Sequence, residues 1–356
     1  MDRLIVITGF LFIFLLALEI AYGLITKRNT YRLNDSISSI SQGVLSQIVG
    51  ICTPLFQIGL YTLIFPLIAV WQPHHFYNQW YGFILAMILF DFCDYWLHRV
   101  SHQSAIFWAA HVVHHQSQCF NFSTALRQES FYPIVGWFFY LPMAVAGVPP
   151  EQYAIAGFVV LAYQFWIHTE HIGKLGWLDK VLTTPSNHRV HHAINDRYIN
   201  KNYGAMLIIW DRLFGTFIEE NEDEPCIYGT KEPLNSWNPI WSIISVFYGL
   251  CVKAGQTKSW KNKFLVFLKA PDWQPYNHKN VVDDQNSNSQ ALYNPGMTLF
   301  QKVAACILLS FVILGDVVFT WYADDLSAMI KISVLIFNLL GLWMIGMMMS
   351  PKTNRI

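Results

Sequence analysis

Thirteen histidines stand in this 356-residue chain, and ten of them fall in two short windows. The first reads His98-Arg-Val-Ser-His102, followed by His111-Val-Val-His114-His115. The second gives His168-Thr-Glu-His171 and, past a short linker containing Pro185, His188-Arg-Val-His191-His192. Residues three and four apart share one face of a helix, so this spacing stacks His98 over His102 and sets His111 beside both His114 and His115. Burying so many unpaired imidazoles is costly unless something coordinates them, and metal binding is the chemistry that follows. One ion in a single-site enzyme takes three or four protein ligands, so this many imidazoles imply two ions in a shared pocket. An all-nitrogen site suits iron, copper or zinc, and spacing leaves that choice open. His74, His75 and His278 have no ligand spacing and read as interfacial or loop residues.

A carboxylate can accept the ring N–H that a metal leaves free and so fix the tautomer. Asp94, four residues before His98, is placed for that task, with Asp91 one turn earlier. Charges at a helix end are the competing reading of both. Glu170, between two histidines, is a candidate acceptor or proton carrier, and Arg99, Arg189, Asp211 and Arg212 read as ion pairs that clamp helix ends.

The elements that must hold these groups are apolar. Hydrophobic residues make up 54% of the chain and charged residues 13%, about half the charged share of a soluble domain. Apolar stretches near the length of about 20 residues that a bilayer requires occur at 5–25, 44–71, 81–97, 131–148, 152–168, 300–322 and 328–349, the second interrupted by Pro54 and Pro66. The first lacks a basic leader and a small-residue cleavage site, so it reads as an uncleaved span. Short cytoplasmic loops are rich in Lys and Arg, which puts Lys27, Arg28, Arg32, Lys352 and Arg355 inside and both histidine windows on that same cytosolic side. The expected fold is therefore all-α: a polytopic membrane protein whose helical transmembrane bundle carries a cytosol-facing, histidine-rich, di-metal helical cap. Residues 1–80 supply the N-terminal transmembrane segments, 81–220 the catalytic domain, 221–299 a cytoplasmic loop region and 300–356 a C-terminal transmembrane hairpin. In the loop region Lys253, Lys258, Lys261, Lys263 and Lys269 flank apolar residues, the pattern of a segment on an anionic lipid surface or of a solvated helix face. Six scattered cysteines without CxxC spacing indicate neither a disulfide framework nor a thiolate zinc site. A formal net charge of zero supplies no basic field for nucleic acid.

The pattern HxxxH, HxxHH, HxxHH resembles that of the fatty acid hydroxylase and sterol desaturase superfamily, and within it the chain is most similar to the alkylglycerol monooxygenase branch and its bacterial relatives. The stretches that carry the likeness are Asn34 to Val44, DFCDYWLHRVSH from Asp91 to His102, NFSTALRQ from Asn121 to Gln128, Tyr163 to Glu170, TPSNHRVHH from Thr184 to His192 and Lys201 to Phe217. The resemblance implies that His98, His102, His111, His114, His115, His188, His191 and His192 bind the metal, with His168 a ninth. At His171 relatives often carry an apolar residue, and where the branch usually has Glu after the second histidine this chain has Gln103. The resemblance also implies a di-iron centre that uses tetrahydrobiopterin and dioxygen to hydroxylate the carbon beside an ether oxygen, with Glu170 a candidate pterin contact.

The setting of the histidines points the same way. A site at the membrane surface among aromatic-rich spans suits a lipid substrate whose C–H bonds cannot be hydrolysed, and that chemistry calls for redox-active iron and dioxygen. Neither an HPGG haem segment nor a GxGxxG nucleotide loop is present, so electrons come from a diffusible cofactor or an external donor protein. A sterol or fatty-acyl desaturase or hydroxylase is the alternative enzyme. A metal carrier would spread ionisable residues through its spans, whereas here they cluster at one face. The expected location is an integral multi-pass position in the endoplasmic reticulum of a eukaryote or the inner membrane of a bacterium.

Overall fold

The computed structural model of the chain describes residues 2–70, 75–275 and 292–350, so His74, His278, Lys352 and Arg355 lie outside the described residues. Helix α1 (Asp2–Ile25) leads into α2 (Leu33–Cys52), a π-turn over Leu55–Gly59 and α3 (Leu60–Ile68). Helices α4 (Trp80–Gln103) and α5 (Ala105–His115) carry the first histidine window. Short helices α6 (Phe122–Ala125), α7 (Tyr132–Gly136) and α8 (Leu141–Val145) precede α9 (Pro150–Trp166). The second window ends on α10 (Pro185–His192), followed by α11 (Ile209–Leu213), α12 (Pro239–Gln256) and α13 (Trp260–Leu268). A hairpin of α14 (Leu299–Trp321) and α15 (Ala328–Met349) closes the chain. Among the described residues the only β-type pairings are two isolated bridges, Leu182 with Leu207 and Ala193 with Tyr228.

Among the described residues four helices, α1, α4, α14 and α15, are long and apolar enough to cross a membrane, and α2 with the Leu55–Ile68 segment makes a fifth if that pair, bent by 74°, counts as one span. The bend falls at Thr53 and Pro54, where the ring cannot donate to the helix ladder. One expected span is broken. The stretch 131–148 breaks into α7, a 3-10 turn over Trp137–Tyr140 and α8, so Tyr132–Val145 cannot bridge about 30 Å of hydrocarbon at about 1.5 Å per residue. Pro133 and Pro142 sit at the first turns of its two helices, which explains the break. The expected stretch 152–168 appears as α9, 17 residues long and shifted by two positions.

Among the described residues, the two larger of four buried apolar clusters hold the bundle together. In one, Leu45 and Ile48 of α2 pack with Leu309 and Val312 of α14 and Leu342 and Ile345 of α15. Gly341 of α15 faces Val312 of α14, where an added Cβ would stand at an ordinary contact distance of 3.4 Å. In the other, Tyr61, Phe90, Tyr153 and Ala156 join α3, α4 and α9, with Tyr61 and Tyr153 stacked at 4.2 Å between centroids. The opposite faces stay bare: Phe311, Leu314, Phe337 and Leu340 are exposed, and only 11% of the apolar window of α1 is buried. Contiguous exposed apolar helix surface of this extent is what a hydrocarbon solvent covers.

Candidate metal centre

The local fold of each histidine segment follows from its sequence. Ser104 takes an extended conformation (φ −129°, ψ 128°), ending α4 just past His102 and turning α5 back across it. Thr184 is extended before Pro185, the favoured proline position at a helix start, so α10 begins three residues before His188. In an HxxHH segment the first and last histidines lie four apart on one face and the middle one falls to the side. The two helices use this in opposite senses.

Nine imidazoles converge in two groups. His98, His102, His111, His115 and His191 form the first, and His114, His168, His188 and His192 the second, the ligand atoms within each lying within 4.8 Å of one another. Thus α5 gives two rings to the first pocket and one to the second, while α10 gives one and two. In the first, Nε2 of His111 lies 3.1 Å from that of His98 and 3.0 Å from that of His115, and Nε2 of His191 is 3.2 Å from that of His115. In the second, Nε2 of His168 is 3.2 Å from that of His114 and 3.0 Å from that of His188, which is 3.1 Å from that of His192.

The contact between His114 and His168 is not an ordinary hydrogen bond, because the ring protons of both, like those of His98 and His191, are committed elsewhere. Nδ1 of His98 donates to the Tyr203 carbonyl (2.8 Å), His114 to Arg127 (3.0 Å), His168 to Gln164 (2.7 Å) and His191 to Lys201 (3.0 Å). A carbonyl only accepts, so each of these Nε2 atoms presents a lone pair. Lone pairs facing one another need a cation between them. Neighbouring ligands around an ion at about 2.1 Å, a usual metal–imidazole distance, stand about 3 Å apart, so the residues present fit metal ions. Nε2 of His102 and the hydroxyl of Tyr203, whose ring lies beside the first pocket, are buried without a partner, as groups waiting on a ligand would be. Burial pushes His111, His115, His168, His188, His191 and His192 well below the usual imidazole range and His114 down to about 4. The rings are therefore neutral at neutral pH, the form that binds metal.

The supporting residues differ from the expectation in part. Asp94 does not reach an imidazole: its Oδ1 accepts the Tyr140 hydroxyl (2.6 Å), and His98 turns instead to the Tyr203 carbonyl. Asp91 accepts from the backbone of Met206 and Leu207 and from Trp210 Nε1, while Asp211 accepts from the backbone of Tyr203 and Gly204, so the two carboxylates shape the loop that offers that carbonyl. Glu170 also touches no histidine and lies 3.9 Å from Arg28 at a half-exposed rim. Of the expected ion pairs, Arg189 forms a two-pronged bridge to Glu220 (2.7 Å each) and bonds the carbonyls of Thr169 and Ile172, tying α10 to the His168 loop. Arg212 stacks on Phe217 and Arg99 donates to the Tyr95 hydroxyl. His171 stands outside both pockets with its ring nitrogens unpartnered.

Three charged groups that spacing does not reveal complete the site. Glu129 Oε1 lies 2.7 Å from His111 Nδ1. Arg127, fully buried, bonds Val113, Ser38 and Gln116 while its carbonyl holds His114. Glu19 of α1 accepts from Tyr31, Thr169 and the Phe122 backbone. Glu19 carries a sequence signal, a lone charge in an apolar stretch, whereas Arg127 and Glu129 are masked by the polar neighbours Gln128 and Ser130.

A helical chain with membrane-length helices and two buried histidine pockets able to bind metal defines a membrane-associated metal-site protein. The Fatty acid hydroxylase family profile matches residues 83–216, which contain every histidine of both pockets. The chain is 40% identical over 272 residues to the alkylglycerol monooxygenase of Homo sapiens, covering 74% of this chain and 58% of that protein. It is 35% identical over 354 residues to the alkylglycerol monooxygenase of Danio rerio, covering 96% of this chain and 77% of that one. A Delta(7)-sterol 5(6)-desaturase of Aspergillus fumigatus is 31% identical over 135 residues, or 37% of this chain and 38% of that protein. No solved structure matches significantly. The chain belongs to the fatty acid hydroxylase family, among the relatives of the alkylglycerol monooxygenases.

Proposed function

We propose that the chain is a membrane-bound di-iron monooxygenase that uses dioxygen and tetrahydrobiopterin to cleave the ether bond of alkylglycerols. The observation that carries this reading is the pair of all-imidazole pockets in a chain 35% identical to an alkylglycerol monooxygenase across nearly its whole length. His98, His102, His111, His115 and His191 would hold one iron, and His114, His168, His188 and His192 the other. Bound iron supplies the activation of dioxygen that an unactivated C–H bond beside an ether oxygen requires. Hydroxylation there gives a hemiacetal, which falls apart to a fatty aldehyde and glycerol. The chain's own part is to hold neutral imidazoles in fixed tautomers and to exclude water by burial. Asp94 is assigned to anchoring Tyr140. Glu170, beside Tyr228 and one aromatic layer out from Phe120 and the second pocket, is assigned to contact with the diffusible cofactor. The histidine layer faces the cytosol, in the endoplasmic reticulum or a bacterial inner membrane, by the Lys/Arg bias of the loops.

The likeness to a sterol desaturase over 135 residues favours one second reading, a sterol or fatty-acyl desaturase or hydroxylase with an external electron donor. Purified, iron-loaded protein given tetrahydrobiopterin, dioxygen and an alkylglycerol is expected to release fatty aldehyde. Turnover confined to a sterol or acyl lipid, and only with a ferredoxin or cytochrome, would replace the first reading with the second.

A further inference from the structure

The two pockets are not equivalent, and one side chain makes much of the difference. Among the described residues, the Nδ1 atoms of His98, His114, His168 and His191 meet neutral main-chain carbonyls, whereas that of His111 meets a carboxylate. That carboxylate, Glu129, is 12% exposed and lies on the loop between α6 and α7, two residues past the Arg127 carbonyl that holds His114. His111 is also the pivot of its pocket, its Nε2 lying between those of His98 and His115. One short loop therefore offers a neutral partner to the second pocket and a negative one to the first.

We infer that Glu129 is a positioning residue that pins the His111 ring and, ionised when a cation is bound beyond that ring, sets a negative charge behind the five-histidine pocket alone, so that this pocket holds its ion more tightly than the four-histidine pocket. The inference rests on the metal reading proposed above. A carboxylate behind an imidazole makes the ring a stronger donor and pins its direction, and loss of such a partner typically weakens metal binding 10- to 100-fold. The second pocket has one ligand fewer and no such carboxylate on any ring whose Nδ1 partner is defined.

The test is metal release. Full-length protein in detergent is loaded anaerobically with ferrous iron and mixed with excess chelator, and the ions leaving are counted over time. Wild type is expected to release two ions in two phases. Glu129→Gln, which keeps the shape and removes the charge, is expected to speed the slow phase by about 10- to 100-fold and leave the fast phase alone. Asp94→Asn removes a buried carboxylate that touches Tyr140 and no imidazole, and both phases are expected to stay as in wild type. A single wild-type phase, an unchanged slow phase in Glu129→Gln, or equal acceleration by Asp94→Asn would each overturn the inference. If the Gln variant does not fold, Glu129→Asp, which withdraws the charge by one methylene, is read by the same criterion. Failure of the wild type to take up two ions would instead sink the proposed function, so the two failures are separable.

Discussion

At the scale of single residues, the histidines were legible because ligand spacing on a helix is a local property. Both HxxHH segments lie within two turns, and a helix fixes which of their rings share a face. Their partners were not. Glu129 meets a ring 18 residues away across a loop, and no periodicity joins the two. Asp94 has the right helical offset from His98, but offset selects a face and not which of two neighbours is bonded; Tyr140 takes the carboxylate and the Tyr203 carbonyl takes the ring. Arg127 shows what such a hidden residue is worth. Its guanidinium, at 0% exposure, is shared among Val113, Ser38, Ser39, Gln116 and Ser242, and its charge offsets that of Asp35, itself buried. Arg127→Met is expected to lower stability by about 1–3 kcal/mol for each buried acceptor it orphans, chiefly the Val113 carbonyl and the Gln116 side-chain oxygen. Arg127→Lys is expected to rescue little, because an ammonium lacks the planar fork that reaches three segments at once. Unfolding in detergent with increasing denaturant measures both.

At the scale of elements, the long uniform spans 5–25, 300–322 and 328–349 appear within a few residues as α1, α14 and α15, because continuous apolar length needs no partner to be recognised. Where the sequence mixes prolines with apolar residues, composition still reads as a span although the backbone breaks, as at 131–148. Close approach between elements was equally hidden. Gly43 of α2 lies so near the segment after α6 that an added Cβ would meet the Leu126 carbonyl oxygen at 2.6 Å, and backbone cannot swing aside as a side chain can. Gly43→Ala is expected to cost about 1–3 kcal/mol by forcing α2 away from the Arg127 loop. Gly249→Ala, in α12 with nothing within 4 Å of the added carbon, is expected to stabilise by about 0.5–1 kcal/mol as helical glycines do on replacement. Opposite shifts in thermal midpoint distinguish a packing effect from propensity alone.

At the scale of the whole molecule, the pockets make stability depend on pH with a definite sign. Seven imidazoles outside the spans, those of His111, His114, His115, His168, His188, His191 and His192, are held by burial below the value of about 6.5 they have in an unfolded chain. Below about 6.5 the unfolded chain binds protons that the folded one does not, so stability is lost progressively as the pH falls beneath that value. In the metal-free protein burial lifts Glu129 to about 8 and also raises Glu170 and Asp211, which act oppositely, but these are three carboxyl groups against seven imidazoles. Metal-stripped protein is therefore expected to melt at a lower temperature at pH 5 than at pH 7, and an unchanged or higher midpoint would contradict the neutral-imidazole account. The Glu19 contacts have a different consequence, for the order in which the chain is made. Helix α1 is translated before Thr169, one of the donors to its buried carboxylate, which lies 150 residues further on. Until that residue has been made and folded back, α1 carries an incompletely paired acid, so a helix made well ahead of the histidine segments is finished only with them.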